Sequence, residues 1–216
     1  MIAMAQGKTA AKKDAPAAKP RRARRLLLCA TGGYQVHTLP GFVLSLLRHF
    51  ADDVQVVLSR TAAHLVSRAA VEVASRHPVF VEMDETSADV FVPHIELGRG
   101  VDLVLVYPAT VNVVAKVAHG VADELIPALI LATPAPVIFV PVANALMWGH
   151  PAARRNIKTL REDGYVVLPP LSGPEVATRE GLDQMTEPFP LPTLLVQMRA
   201  LVAGGSAAGV PRREQP

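Results

Sequence analysis

Residues 24–43 read RRLLLCATGGYQVHTLPGFV, and the order of their parts decides the fold. An apolar run without polar alternation, Arg25–Ala30, is followed by a glycine pair, Gly32 and Gly33. Then comes a stripe at helical spacing: Phe42, Val43, Leu46, Leu47 and Phe50. A strand that is apolar on both faces belongs inside a sheet covered on both sides, and a helix that follows at once supplies one cover.

The alternation recurs down the chain. Asp53–Leu58, Asp102–Tyr107 and Val137–Val142 read as further strands, with a weaker one at Tyr165–Leu168. Ala62, Leu65, Val66, Ala69 and Val73 form a second helical stripe, and Val113, Val114, Val117 and Val121 a third. This order predicts a three-layer α/β fold of the Rossmann or flavodoxin-like kind, a parallel sheet with helices on both faces, because right-handed crossovers put them there. With 216 residues, half of them apolar, the chain has material for one domain. Its expected span is 24–202, between a basic tail over 1–23 and a polar, Gly-rich tail over 203–216. Pro169 to Pro192 holds six prolines and reads as a long loop, followed by a closing helix at Leu191–Val202.

Charge excludes one class of partner. The sequence pI is about 9.2, yet Lys8, Lys12, Lys13, Lys19, Arg21, Arg22, Arg24 and Arg25 all stand at the start, and the rest has more acids than bases. The basic character belongs to a tail and not to the fold, which argues against nucleic acid. No run reaches the roughly 20 apolar residues of a membrane span, and no secretory signal is evident, so a cytoplasmic protein is expected. Cys29 is the one cysteine; it sits in an apolar run, which excludes a disulfide within the chain and a cysteine-based metal cage. His37, His49, His64, His77, His119 and His150 lack paired ligand spacing, and no metal is assigned.

In open parallel sheets, ligands bind beyond the carboxyl ends of the strands. The loops to read are therefore Thr31–Leu39, Ser59–Thr61, Pro108–Asn112 and Pro141–Trp148. Gly32 and Gly33 let backbone amides approach a phosphate, or serve a plain tight turn. Ser59 and Thr61 suit hydrogen bonds to a ring or phosphate, and Thr61 equally suits a helix cap. Pro108, Ala109, Thr110 and Asn112 form another strand-to-helix junction with amides to offer. Asn144, Met147 and Trp148 crowd a loop where small polar residues would be usual; an Asn can orient a carboxylate, and a Met can pack on an aromatic ring. His94, at the start of a short helical segment, suits a neutral base.

Three of these stretches, in this order, resemble the homo-oligomeric flavin-containing cysteine decarboxylases, the family of phosphopantothenoylcysteine decarboxylase and of the peptidyl-cysteine decarboxylases of lantibiotic-type biosynthesis. They are His94 leading into H-I-x-L, PATVNV with Asn112 where the family has P-A-S-A-N-T, and PVANALMW where it has P-x-M-N-x-x-M-W. Thr110, Val111, Val113 and Ala143 depart from those patterns. The resemblance implies that His94 is the catalytic base, and that Asn144 holds the substrate carboxylate with Met147 and Met185 beside it. It further implies that Gly32, Gly33, Tyr34, Ser59, Thr61, Pro108, Ala109, Thr110 and Asn112 line the flavin, FMN in preference to FAD. The family's reaction oxidises the cysteine side chain to a thioaldehyde, from which carbon dioxide leaves to give an enethiol.

The coenzyme A branch carries a mobile Cys-bearing segment ending in M-x-E-P. The matching stretch here, EVATREGLDQMTEP, keeps Met185, Glu187 and Pro188 but has Ala177 or Thr178 in place of that Cys. The resemblance so read favours a precursor peptide with a C-terminal cysteine as substrate. Phosphopantothenoylcysteine and a non-catalytic regulatory flavoprotein stand as alternatives. A homotrimer, or a homododecamer of four trimers, is expected by the same resemblance, with flavin at the subunit contacts.

Overall fold

The computed structural model describes residues 23–169 and 191–203. Five parallel strands are hydrogen-bonded in the order β2-β1-β3-β4-β5: β1 Ala23–Ala30, β2 Ala51–Leu58, β3 Leu103–Thr110, β4 Val137–Val142 and β5 Val166–Val167. Nine α-helices lie among the described residues. They are α1 Leu39–His49, α2 Arg60–Leu65, α3 Arg68–Ser75, α4 Pro93–Glu96 and α5 Val111–Ala118, then α6 Leu125–Ala132, α7 Ala145–Gly149, α8 Pro151–Glu162 and α9 Leu191–Val202.

The absence of alternation in β1 has its expected cause. Leu26, Leu28 and Ala30 pack into one hydrophobic cluster with α1, α3 and α9, while Leu27 and Cys29 pack into the other with α5, α6 and α8. Each strand residue is buried whichever way it points, so only length and turn residues mark the strand. Burial also pushes the Cys29 thiol far up, which makes it a structural apolar residue.

The structure amends the expected elements in four places. The second stripe is two helices, because Val66 is extended (φ −132°, ψ 144°) and the Ser67 side chain accepts the Ala70 N–H to start α3. Val73, assigned to that stripe, is 80% exposed. The third stripe ends at Ala118; Gly120 then takes φ 68°, and Val121 lies outside the helix. β3 runs on to Thr110, its register shifting between Val106 and Ala109 before Ala109 pairs with Pro141 and Thr110 with Val142. The loop expected from Pro108 thus begins as strand. A short 3₁₀ helix, Tyr34–Thr38, fills most of the first loop.

Leu28 is fully buried and lies between Val56 of β2 and Leu105 of β3. Leu28→Ala should lower the unfolding free energy by about 2–5 kcal/mol, read from urea denaturation with an unchanged m-value.

Candidate flavin site

A sheet of order 2-1-3-4-5 reverses its winding between β1 and β3, and the crevice for a ligand opens there. The loops that border it are tied to one another through main chain and one hydroxyl. The Thr31 N–H donates to the Pro108 carbonyl at 3.0 Å, and the Ser59 N–H to the Ala30 carbonyl at 2.9 Å. Thr31 is 4% exposed; its Oγ1 donates to the Pro108 carbonyl at 2.8 Å, accepts the Thr110 N–H at 2.9 Å and lies 3.1 Å from Thr110 Oγ1. Sequence reasoning passed over Thr31, since a Thr after a strand looks like any turn residue.

The two glycines are there for close approach. A Cβ on Gly32 would collide with the Thr61 side chain, whose Cβ would lie at 2.7 Å. One on Gly33 would stand 2.6 Å from Val142 Cγ2 and 3.0 Å from Pro108 Cβ. The first loop is therefore pressed against all three others, and Gly32, Gly33, Ser59, Thr61, Pro108, Ala109 and Thr110, part of the set that the resemblance implied, stand together at the strand ends.

Their roles divide more sharply than the sequence allowed. Ser59, and not Thr61, caps α2, its hydroxyl accepting the Ala62 N–H at 3.2 Å. The Ala109 side chain is buried in the core, so only its main chain can face a ligand. Thr110 precedes α5 without a side-chain cap, which leaves the first-turn amides of that helix to an anion or a ring carbonyl. Asn112 is exposed in that turn. Tyr34 is half exposed and its ring meets His37 at 4.5 Å. A cradle too tight for any Cβ, beside an uncapped helix start, is a fit for a flavin phosphate and its ring.

Asn144 caps α7, its Oδ1 accepting the Met147 N–H at 2.8 Å. α7 roofs a cleft of about 400 Å³ whose walls include Val111, Val114, Pro141, Met147, Trp148 and Ile157. His94 lies on α4 with Nδ1 buried and without a hydrogen-bond partner among the described residues. Packing runs α4 on α6, α6 on α5, α5 on α8 and α8 on α7, which sets His94 and Asn144 on opposite flanks of this face. Met185 lies outside the described residues. Arg60, next to Ser59, grips Glu82 through two 2.6 Å bonds; these hydrogen bonds hold the Glu82 carboxyl below the usual carboxylate range and tie the second loop to the segment ahead of α4.

The model of the Flavoprotein family matches residues 15–198. The chain belongs to that family. Among curated relatives of this Flavoprotein member, the coenzyme A biosynthesis bifunctional protein CoaBC of Bacillus subtilis is 34% identical over 165 residues, 76% of this chain and 40% of the relative. CoaBC of Mycobacterium tuberculosis is 37% identical over 153 residues, 70% of this chain and 36% of the relative. The chain thus spans less than half the length of these relatives. Among solved structures, the FMN-dependent cysteine decarboxylase SpaF superposes with a TM-score of 0.70 at 28% identity, over 85% of this chain and 98% of that one. MrsD from a Bacillus species gives 0.66 at 28% identity, over 82% and 96%. The α/β fold, the family and the flavin expected from the sequence are all borne out, and FMN is the flavin of SpaF. No helix among the described residues is long and apolar enough to cross a membrane.

Gly33→Ala should cost about 1–3 kcal/mol, because Val142 or the rigid Pro108 ring must give way. The purified variant should also carry much less flavin than the wild-type chain, read from visible flavin absorbance against protein concentration.

Proposed function

We propose that this chain is an FMN-dependent decarboxylase of a cysteinyl carboxylate. The glycine cradle at the β1/β3 crevice, in a member of the Flavoprotein family, carries the reading. Bound there, the flavin would supply the oxidation at the substrate's cysteine side chain. The protein's share is position. Gly32, Gly33 and the start of α5 hold the phosphate and ring, and Ser59, Thr61 and Thr110 border them. Asn144 holds the substrate carboxylate, with Met147 alongside. His94 takes and returns the proton.

The flank positions of His94 and Asn144 imply that the site is completed by a second copy. Two different apolar patches support this: Phe91 (70% exposed) and Val92 (42%) beside His94, and Leu146 (85%) and Met147 (47%) beside Asn144. Unlike patches that pair across copies make a head-to-tail contact, which closes into a ring where the rotation between copies permits. The assembly we assign is the homotrimer, alone or as a homododecamer.

For the substrate, the curated relatives favour phosphopantothenoylcysteine over the peptide expected from the sequence, since the identities of 34% and 37% are to coenzyme A proteins. One observation favours a peptide with a C-terminal cysteine: the chain's single cysteine is buried, so it brings no thiol to help return hydrogen to an enethiol product. The 28% likeness to SpaF, a cysteine decarboxylase, accords with both readings.

Both substrates should be incubated with the purified full chain and followed by mass spectrometry. Phosphopantothenoylcysteine, or else a Cys-terminated peptide, should lose about 46 Da, carbon dioxide and two hydrogens, as flavin oxidation with decarboxylation requires. His94→Asn should retain flavin and cut turnover by about 10²–10⁴-fold. Failure of both substrates to react, or a monomer by light scattering, would count against the proposal.

A further inference from the structure

We propose that Glu96 is the positioning residue for His94, an inference that rests on the reading of His94 as the proton-transfer group. α4 has four residues, far too few to hold a helical turn in water by itself. Its carboxyl end is pinned by packing. Leu97 is 6% exposed, and the Gly98 carbonyl accepts the Thr133 hydroxyl at 3.0 Å; a Cβ on Gly98 would stand 3.1 Å from Thr133 Cβ. The amino end has less: Pro93 is buried, but Phe91 and Val92 are exposed, and Val92, at the cap position, has no side chain that can accept a hydrogen bond.

Glu96 supplies what the cap position lacks. Its Oε2 accepts the Phe91 N–H at 3.0 Å and its Oε1 the Val92 N–H at 3.3 Å. One carboxylate thus reaches back over the turn that carries His94 and fastens the two amides that lead into it. Both oxygens are engaged by main chain, so Glu96 is not itself placed for proton transfer. The His94 imidazole, whose buried Nδ1 has no hydrogen-bond partner among the described residues, depends at that nitrogen on the helix turn for its aim. Loss of the carboxylate frees residues 91–94 while the far end of α4 stays packed, so the base is displaced without unfolding the domain.

The test compares Glu96→Ala, Glu96→Gln and His94→Asn in the full, flavin-loaded chain, with whichever cysteinyl substrate reacts. Glu96→Ala should lower kcat roughly tenfold with KM changed less than about twofold, since a displaced base affects the chemical step more than binding. Flavin absorbance should be retained, and amide exchange should quicken at residues 91–96. Glu96→Gln keeps one carbonyl acceptor and should recover part of the loss. If Glu96→Ala keeps kcat within about twofold of wild type, or loses activity through KM alone, the proposal is overturned. Wild-type turnover in His94→Asn would instead overturn the role of His94; the exchange comparison would then still decide whether Glu96 holds the turn.

Discussion

The crevice between β1 and β3 depends on a main-chain approach so close that side chains must be absent on one side and buried on the other. Gly32 and Gly33 have no room for a Cβ against Thr61, Val142 and Pro108. Thr31, buried between the loops, joins the Pro108 carbonyl to the Thr110 amide through one hydroxyl. Such a hydroxyl contributes little in water but more here, because its loss would take from the Thr110 N–H its acceptor, while the Pro108 carbonyl would keep only the Thr31 N–H. The same few atoms hold the ends of two neighbouring strands at a fixed separation, so the mouth of the site and the middle of the sheet are one structure.

That economy explains why polar side chains around the crevice do structural work. Ser59 and Asn144 both spend an oxygen on capping, and Thr31 spends its hydroxyl on the neighbouring loop. What remains to meet a ligand is mostly main chain: the glycine loop and the first turn of α5, which no side chain caps. Rigid amides aimed at fixed points bind a phosphate without the entropy cost of ordering long side chains.

Where a residue's character and its position agree, the sequence is readable. β4 has its expected bounds, Val137–Val142, because a β-branched run there is closed by proline and alanine turns. The glycine pair marks a close main-chain approach for the same reason, since neither position has room for a Cβ, though the sequence alone left a phosphate cradle and a plain tight turn both open. The division of the second helical stripe was not, since one extended residue, Val66, breaks a pattern whose spacing survives the break. α6, LIPALILA, escaped notice because it is apolar on nearly every side and has no periodicity to separate helix from strand. The cap roles of Ser59 and Asn144 depend on hydrogen bonds within three residues that composition cannot reveal. The separation of His94 from Asn144 is a fact of helix packing, and only the order α4, α6, α5, α8 across one face exposes it.

Cys29 bears on where the proposed chemistry stops. Its thiol lies at 0% exposure inside the second cluster, between Leu28 and Ala30 of a strand flanked by β2 and β3, and burial suppresses its ionisation. A thiol acts on an enethiol only if it can reach it and ionise, and Cys29 can do neither. Assembly does not alter this, because every copy contributes the same buried residue. On the proposed reading, with a phosphopantothenoyl or a peptidyl substrate alike, the chain's own groups would orient the carboxylate and move a proton, but Cys29 brings no accessible thiol to help reduce the product. An enethiol is a reactive end point, nucleophilic at carbon and at sulfur, so a chain that releases one belongs beside a partner reaction that consumes it by reduction or by addition.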